Sequence, residues 1–87
     1  MNQLIVAANW KLNKNPQETK AYFDEFLKLV SEEEQSQFVF FTPAINLTTT
    51  ADSLQSTEVS WGAQNVYAKT SGAFTGENSA QTVAELG

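Results

Sequence analysis

An α/β fold on a parallel sheet is what this sequence predicts, and two features predict it. Short apolar runs alternate with longer stretches of helical periodicity. Successive runs are separated by enough residues for a helical crossover rather than a hairpin turn. The order reads strand, helix, strand, helix, strand, helix, and crossovers of this kind are right-handed almost without exception. At 87 residues a single domain spanning 1–87 is expected, with no interdomain linker and no close internal repeat.

Each element has its own warrant. Gln3 to Ala8 is a continuous apolar run, the pattern of a strand buried on both faces. A polar loop, Asn9 to Asn15, follows. Asn15-Pro16 starts a helix: Asn caps, Pro suits the first helical position, and Glu18 stands where a capping-box acid belongs. Tyr22, Phe23, Phe26, Leu27 and Val30 form its apolar stripe, with Lys20, Asp24, Glu25 and Lys28 opposite. The helix is expected to fray in Glu32-Glu33-Glu34, because acids oppose the dipole at a C-terminus.

Phe38 to Phe41 is the second strand, stopped by Thr42-Pro43. A second helix is predicted over 44–54, with Ile45, Leu47, Ala51 and Leu54 facing the sheet, although Thr48-Thr49-Thr50 has poor helix propensity. Val59 to Ala63 is the third strand, and Gly62 permits a close backbone approach. Val66 to Glu77 is a long loop with Gly72 and Gly76. Ser79 then caps a last helix with Val83 and Leu86 on its apolar side, and Gly87 suits the end of it.

Composition excludes several function classes. Hydrophobic residues at 41% and charged residues at 17% describe an ordered chain. The net charge is −5 and all five basic residues are Lys, which argues against nucleic-acid and anionic-membrane partners. No apolar run approaches the roughly 20 residues of a membrane helix. Leu4 to Ala8 is too short for a secretory signal and no basic residue precedes it, so a cytoplasmic location is expected. Without Cys or His there is no disulfide and no Cys/His metal site, and nothing in the sequence calls for a cofactor. A chain this short is marginal alone, so oligomerisation is the remaining stabiliser.

Four features have plainer readings than their motifs suggest. Asn46-Leu47-Thr48 is a chance sequon in a polar stretch. Gly72 to Glu77 has one residue too few for a phosphate-binding loop and an acid where Lys is needed. Glu32-Glu33-Glu34 reads as a solvated face rather than a cation site. Trp10, Trp61 and the six Phe residues read as core rather than as a platform for bases.

The chemistry-bearing segment is Asn9-Trp10-Lys11-Leu12-Asn13, directly after the first strand. Ligand sites in parallel α/β folds gather at the C-terminal ends of strands. A Lys there can hold an anion as a point charge, and an Asn can donate to a substrate oxygen. On spacing alone a solvated polar loop is the simpler reading. However, Ala8-Asn9-Trp10-Lys11-Leu12-Asn13 resembles the N-terminal signature of triosephosphate isomerases, with Leu12 where Met is usual. Gly62 to Tyr67 and Gly72 to Ser79 resemble that family's third strand and interface loop, and Thr42-Pro43 fits the end of its second strand. The matches run in family order across essentially the whole chain. Asn78 departs from the usual Ile or Val.

The resemblance implies a fold, an activity and roles. The fold would be a partial TIM barrel of three βα units. Lys11 would be the cationic catalytic residue and, with Asn9, would contact a small phosphorylated substrate. Gln64, Asn65, Thr75 and Glu77 would serve the subunit interface, Thr75 reaching a partner's site and Glu77 meeting a basic residue there. The family reaction interconverts glyceraldehyde 3-phosphate and dihydroxyacetone phosphate, within glycolysis and gluconeogenesis. It needs a Glu base and a His electrophile, and these residues contain no His. A complete barrel takes about 250 residues and eight strands. The expectation is therefore a truncated, self-associating homo-oligomer that is catalytically silent alone. Alternatives are a complementing fragment, active only with the missing units, and a weak binder of phosphorylated ligands.

Overall fold

The computed structural model describes residues 4–66, 68, 71–73 and 75–87. Gln3 of the first predicted strand, Tyr67 of the second motif and Phe74 of the glycine-bearing loop lie outside the described residues. Three strands, β1 (Val6–Asn9), β2 (Phe38–Thr42) and β3 (Ser60–Ala63), form a parallel sheet in the order β1-β2-β3. Between and after them lie α1 (Pro16–Leu29), α2 (Glu32–Gln35), α3 (Leu47–Leu54) and α4 (Ala80–Glu85). The sheet is open, as three βα units of a TIM barrel would be.

The register shows why β1 starts later than its apolar run. Val6 pairs with Phe38 and Asn9 with Phe41, and the Val6 amide donates to the Gln37 carbonyl at 2.7 Å. Leu4 and Ile5 precede the partner strand, so no ladder forms there, and they are 69% and 70% exposed. The expectation of a first strand buried on both faces is corrected: β1 is an edge strand, and Val6 itself is exposed. The apolar run reports what the strand could bury, and the length of β2 decides where it pairs.

One sheet face is covered. Phe40 alternates with Val39 and Phe41 along β2 and points to the helices. It joins Trp10, Phe23, Leu54 and Val59 in the core, with Phe26, Leu27, Phe38 and Trp61 packed around them. Trp10 stacks on Phe23 at 5.2 Å between ring centroids, and Phe40 meets Phe23 edge-on at 5.1 Å. On the other face, a Cβ at Gly62 would come 3.2 Å from Phe41, so the close approach there is real.

Two helix expectations need correction. The acids of Glu32-Glu33-Glu34 do not fray the end of α1. That helix stops at Leu29, Val30 turns extended, and Ser31 caps a new helix whose first turn holds all three acids. Acids at an N-terminus complement the dipole. The capping pattern Ser31-x-x-Glu34 carried the signal, since the Ser31 side chain accepts from the Glu34 amide. Ile45 was expected to face the sheet but is 73% exposed. Ala44–Asn46 forms a 3₁₀ turn, whose tighter pitch shifts the phase ahead of α3. Leu47, Ala51 and Leu54 are buried, and so are Asn46 and Thr50.

The capping of α1 is as the sequence indicates: Asn15 accepts from the Glu18 amide at 2.8 Å and Glu18 accepts from the Asn15 amide at 3.0 Å. Among the described residues no helix is long and apolar enough to cross a membrane.

Candidate functional site

All three strands run the same way, so the segments that follow them share one end of the sheet. Asn9 is the last residue of β1 and is exposed. The next residue turns inward: the Trp10 amide donates to the Phe41 carbonyl at 3.0 Å and its indole enters the core. Asn15, at the far end of the loop, is fixed by the capping box. Between these two anchors run Lys11, Leu12, Asn13 and Lys14.

Two of those four residues are left-handed. Lys11 has φ 56° and Lys14 has φ 71°. For a residue with a Cβ this conformation costs roughly 1–2 kcal/mol, and it persists only where the surroundings enforce it. Lys11 is held on both of its peptide groups. Its amide donates to Asn9 Oδ1 at 2.9 Å, and its carbonyl accepts from Gln64 Nε2 at 2.9 Å. Gln64 Nε2 also reaches the Phe41 carbonyl at 3.2 Å, so one carboxamide ties the ends of β1, β2 and β3 together. At about 0.5–1.5 kcal/mol for each net hydrogen bond, two such bonds are of the size needed to hold one left-handed residue.

The Lys11 side chain is free for an anion, since among the described residues it makes no ion pair. Lys14 is differently placed. Its Nζ sits over the rings of Trp10 and Tyr22, 5.5 and 5.4 Å from their centroids. Beside the loop is a concavity of about 340 Å³ lined by Asn9, Trp10, Asn13, Lys14 and Glu18. A larger one, about 650 Å³, lies between the ends of α3 and α4 and the start of β3. It is lined by none of the candidate site residues, and Asp52 is its one ionisable side chain. Of the candidate site residues, Asn9 lines the smaller concavity and Lys11 does not.

The loop after β3 is tied at its base. Asn65 Nδ2 donates to Glu77 Oε2 at 3.1 Å, and Asn78 Nδ2 donates to the Asn65 carbonyl and side chain, both at 3.3 Å. Asn78 thus closes the loop within the chain. Gly72 and Gly76 have φ 136° and 84°, and Thr75 is exposed at the tip. The structure brings Asn9, Lys11 and Gln64 into one hydrogen-bonded group and Asn65 and Glu77 into another, with Thr75 in neither. Among the described residues no cluster of three acidic side chains could hold a metal ion.

Sequence reasoning gave no individual role to Asn13 or Lys14 and read Asn46 only as part of a chance sequon. Asn13 Nδ2 donates to the Trp10 carbonyl at 2.6 Å, and Asn46 Nδ2 donates to the Lys14 carbonyl at 2.8 Å. The second bond spans 32 residues, a separation no local pattern reports. Asn46 is also fully buried, which bars a glycan from its sequon.

Parallel strands in chain order, helices against one face and a cation-bearing loop after the first strand define the opening units of a TIM-barrel protein. The family model for triosephosphate isomerase matches residues 4–87. Over 83 residues, 95% of this chain, it is 49% identical to the triosephosphate isomerase of Bdellovibrio bacteriovorus. It is 40% identical over the same share to those of Streptococcus agalactiae and Streptococcus pyogenes. The chain belongs to the triosephosphate isomerase family. It spans about a third of the length of these curated relatives: 34% of the first and 33% of the other two.

Proposed function

We propose that these residues supply the electrostatic part of a triose phosphate isomerisation site. Lys11 holds the anionic substrate and Asn9 contacts it, while the proton-transfer groups come from elsewhere. The observation that carries this reading is the left-handed Lys11, strapped on both sides by Asn9 and Gln64 with its side chain unpaired. Strain enforced at a strand's C-terminal end is a mark of a functional position in this class of fold. In this reading the 87 residues alone do not isomerise triose phosphates. General acid–base groups contribute roughly 10²–10⁴-fold each, and positioning does not replace them. Lys11 alone binds phosphate weakly, since one exposed Lys–anion contact is worth about 0–1 kcal/mol.

The same reading makes the isolated chain self-associating. Edge strand β1 and the exposed Leu4, Ile5 and Val6 favour that outcome. Thr75 and the Asn65–Glu77 pair would take the interface role of the family.

The test is isomerase activity of the purified 87-residue chain, alone and mixed with the remaining barrel units of a relative. The expected result is none alone, and turnover in the mixture that Lys11→Ala abolishes. Turnover by the chain alone that Lys11→Ala removes would refute the assignment, because contaminating host enzyme would not respond to that substitution.

A further inference from the structure

Asn46 closes the 3₁₀ turn and leads directly into α3 with helical backbone, φ −103° and ψ 0°, so its side chain is not placed as a helix cap. It makes no capping bond to α3. Its side chain turns away from its own helix, and Nδ2 donates to the carbonyl of Lys14 at 2.8 Å. The residue is fully buried, and Oδ1 has no hydrogen-bond partner among the described residues. Flipping the amide would set two acceptors against each other at the Lys14 carbonyl, so the geometry identifies the nitrogen as donor. Asn46 thus leaves a buried acceptor unpaired while it serves one distant carbonyl. That is a departure that a structure keeps only against a compensating contact.

That carbonyl belongs to the second left-handed lysine. We propose that Asn46 is a positioning residue for Lys11, acting by holding Lys14 in its left-handed conformation. The link is chain closure. Trp10 is fixed in the core and Asn15 by its capping box, so the four residues between them must span a set gap. A change of φ at Lys14 has to be absorbed at Lys11, Leu12 or Asn13. Leu12 is 96% exposed, and the Asn13 bond is local, so neither pins the segment from outside. Lys11 and Lys14 therefore move together, and Asn46 and Gln64 are the two carboxamides reaching in from later units to stop them.

Asn46 is itself rigid. Its amide donates to the Pro43 carbonyl at 2.8 Å, and its carbonyl accepts from Thr50 Oγ1 at 2.8 Å. Thr50 in turn bonds Thr42, the last residue of β2, at 2.9 Å in the buried interior. The strut thus runs from the end of β2 through α3 to the loop. Its importance for catalysis rests on the reading of Lys11 given above, whereas its effect on the loop does not.

The experiment reads conformation rather than turnover, which separates the two. In nuclear magnetic resonance spectra of the 87-residue chain, a positive φ gives a strong intraresidue cross peak between amide and α protons. Asn46→Ala should weaken that signature at Lys14 and at Lys11 and speed exchange of the loop amides about tenfold. Adding Lys14→Gly to Asn46→Ala should restore it at Lys11, because Gly adopts the left-handed conformation without a strap. A side chain that merely filled space would not be replaced by a glycine 32 residues away. An Asn46→Ala chain that folds with the Lys11 and Lys14 signatures unchanged would overturn the proposal. If Asn46→Ala alone does not fold, the double variant decides. Recovery of the fold and of the Lys11 signature supports the strut, and failure to recover overturns it.

Discussion

The loops after β1 and β3 sit at the same end of the sheet and solve the same problem in opposite ways. The first reaches left-handed backbone with two lysines, and the second with two glycines. Lysine carries a steric penalty there and glycine does not. The first loop accordingly depends on contacts: Trp10 in the core, the capping box at Asn15, and carboxamides from two later units. Among the described residues the second is closed at its base by Asn65, Glu77 and Asn78, and Thr75 is exposed. A loop strapped from within its own chain has a fixed shape to present to a ligand. A loop on glycines spends no contacts on holding its backbone.

Removing the anchor of the first loop should have the largest effect. Trp10→Ala deletes a buried ring that stacks on Phe23 and meets Phe40 edge-on. The expected loss is about 3–5 kcal/mol, read as a lower denaturant midpoint, and it should take the ordered lysines with it. A loss under about 1 kcal/mol would mean that the loop does not hang on the core.

In the second loop the cost should be conformational and local. Gly76 has φ 84°, and an added Cβ would meet nothing within 4 Å among the described residues. Gly76→Ala should therefore cost about 1 kcal/mol through backbone strain alone. The spectra of residues 9–15 should not change. Shifts there would show that the two loops are coupled.

The smallest effect on folding is expected at the tip. Thr75→Arg should change stability by less than about 0.5 kcal/mol, since it alters an exposed side chain. Sedimentation of the same variant sharpens the contrast. Weaker self-association with unchanged folding would assign the tip to a contact between copies, and unchanged association would put that contact elsewhere.

How much of this was readable beforehand followed the range of the interaction. The capping box at Asn15 and Glu18, the aromatic stripe of α1 and the strand at Phe38 are encoded within a turn or two, and they are found where the sequence indicates. Ser31 and Glu34 carried an equally local signal, but the three acids drew attention to the wrong helix end. Ile45 was misplaced because a 3₁₀ turn changes the angular step, which composition does not announce. Asn9 and Lys11 stood out through the family resemblance, since their place at the end of a strand is equally that of a plain polar loop. Asn46 did not stand out, because its bond to Lys14 depends on the packing of two units that the sequence shows only one at a time.

The strand order bears on how the chain acquires its shape. Each strand pairs with its immediate predecessor, although partners such as Val6 and Phe38 lie a whole βα unit apart in the chain. Pairing across a crossover of this kind is intrinsically slow, while domains form from the N-terminal end as synthesis proceeds. β1 and β2 can join once the segment through Thr42 is available, and β3 can add to them as it emerges. The last of the straps on Lys11 arrives with Gln64, immediately after β3. Lys11 is thus tied on both of its peptide groups only once the third strand is in place, and a chain that stopped short of it would lack the Gln64 strap.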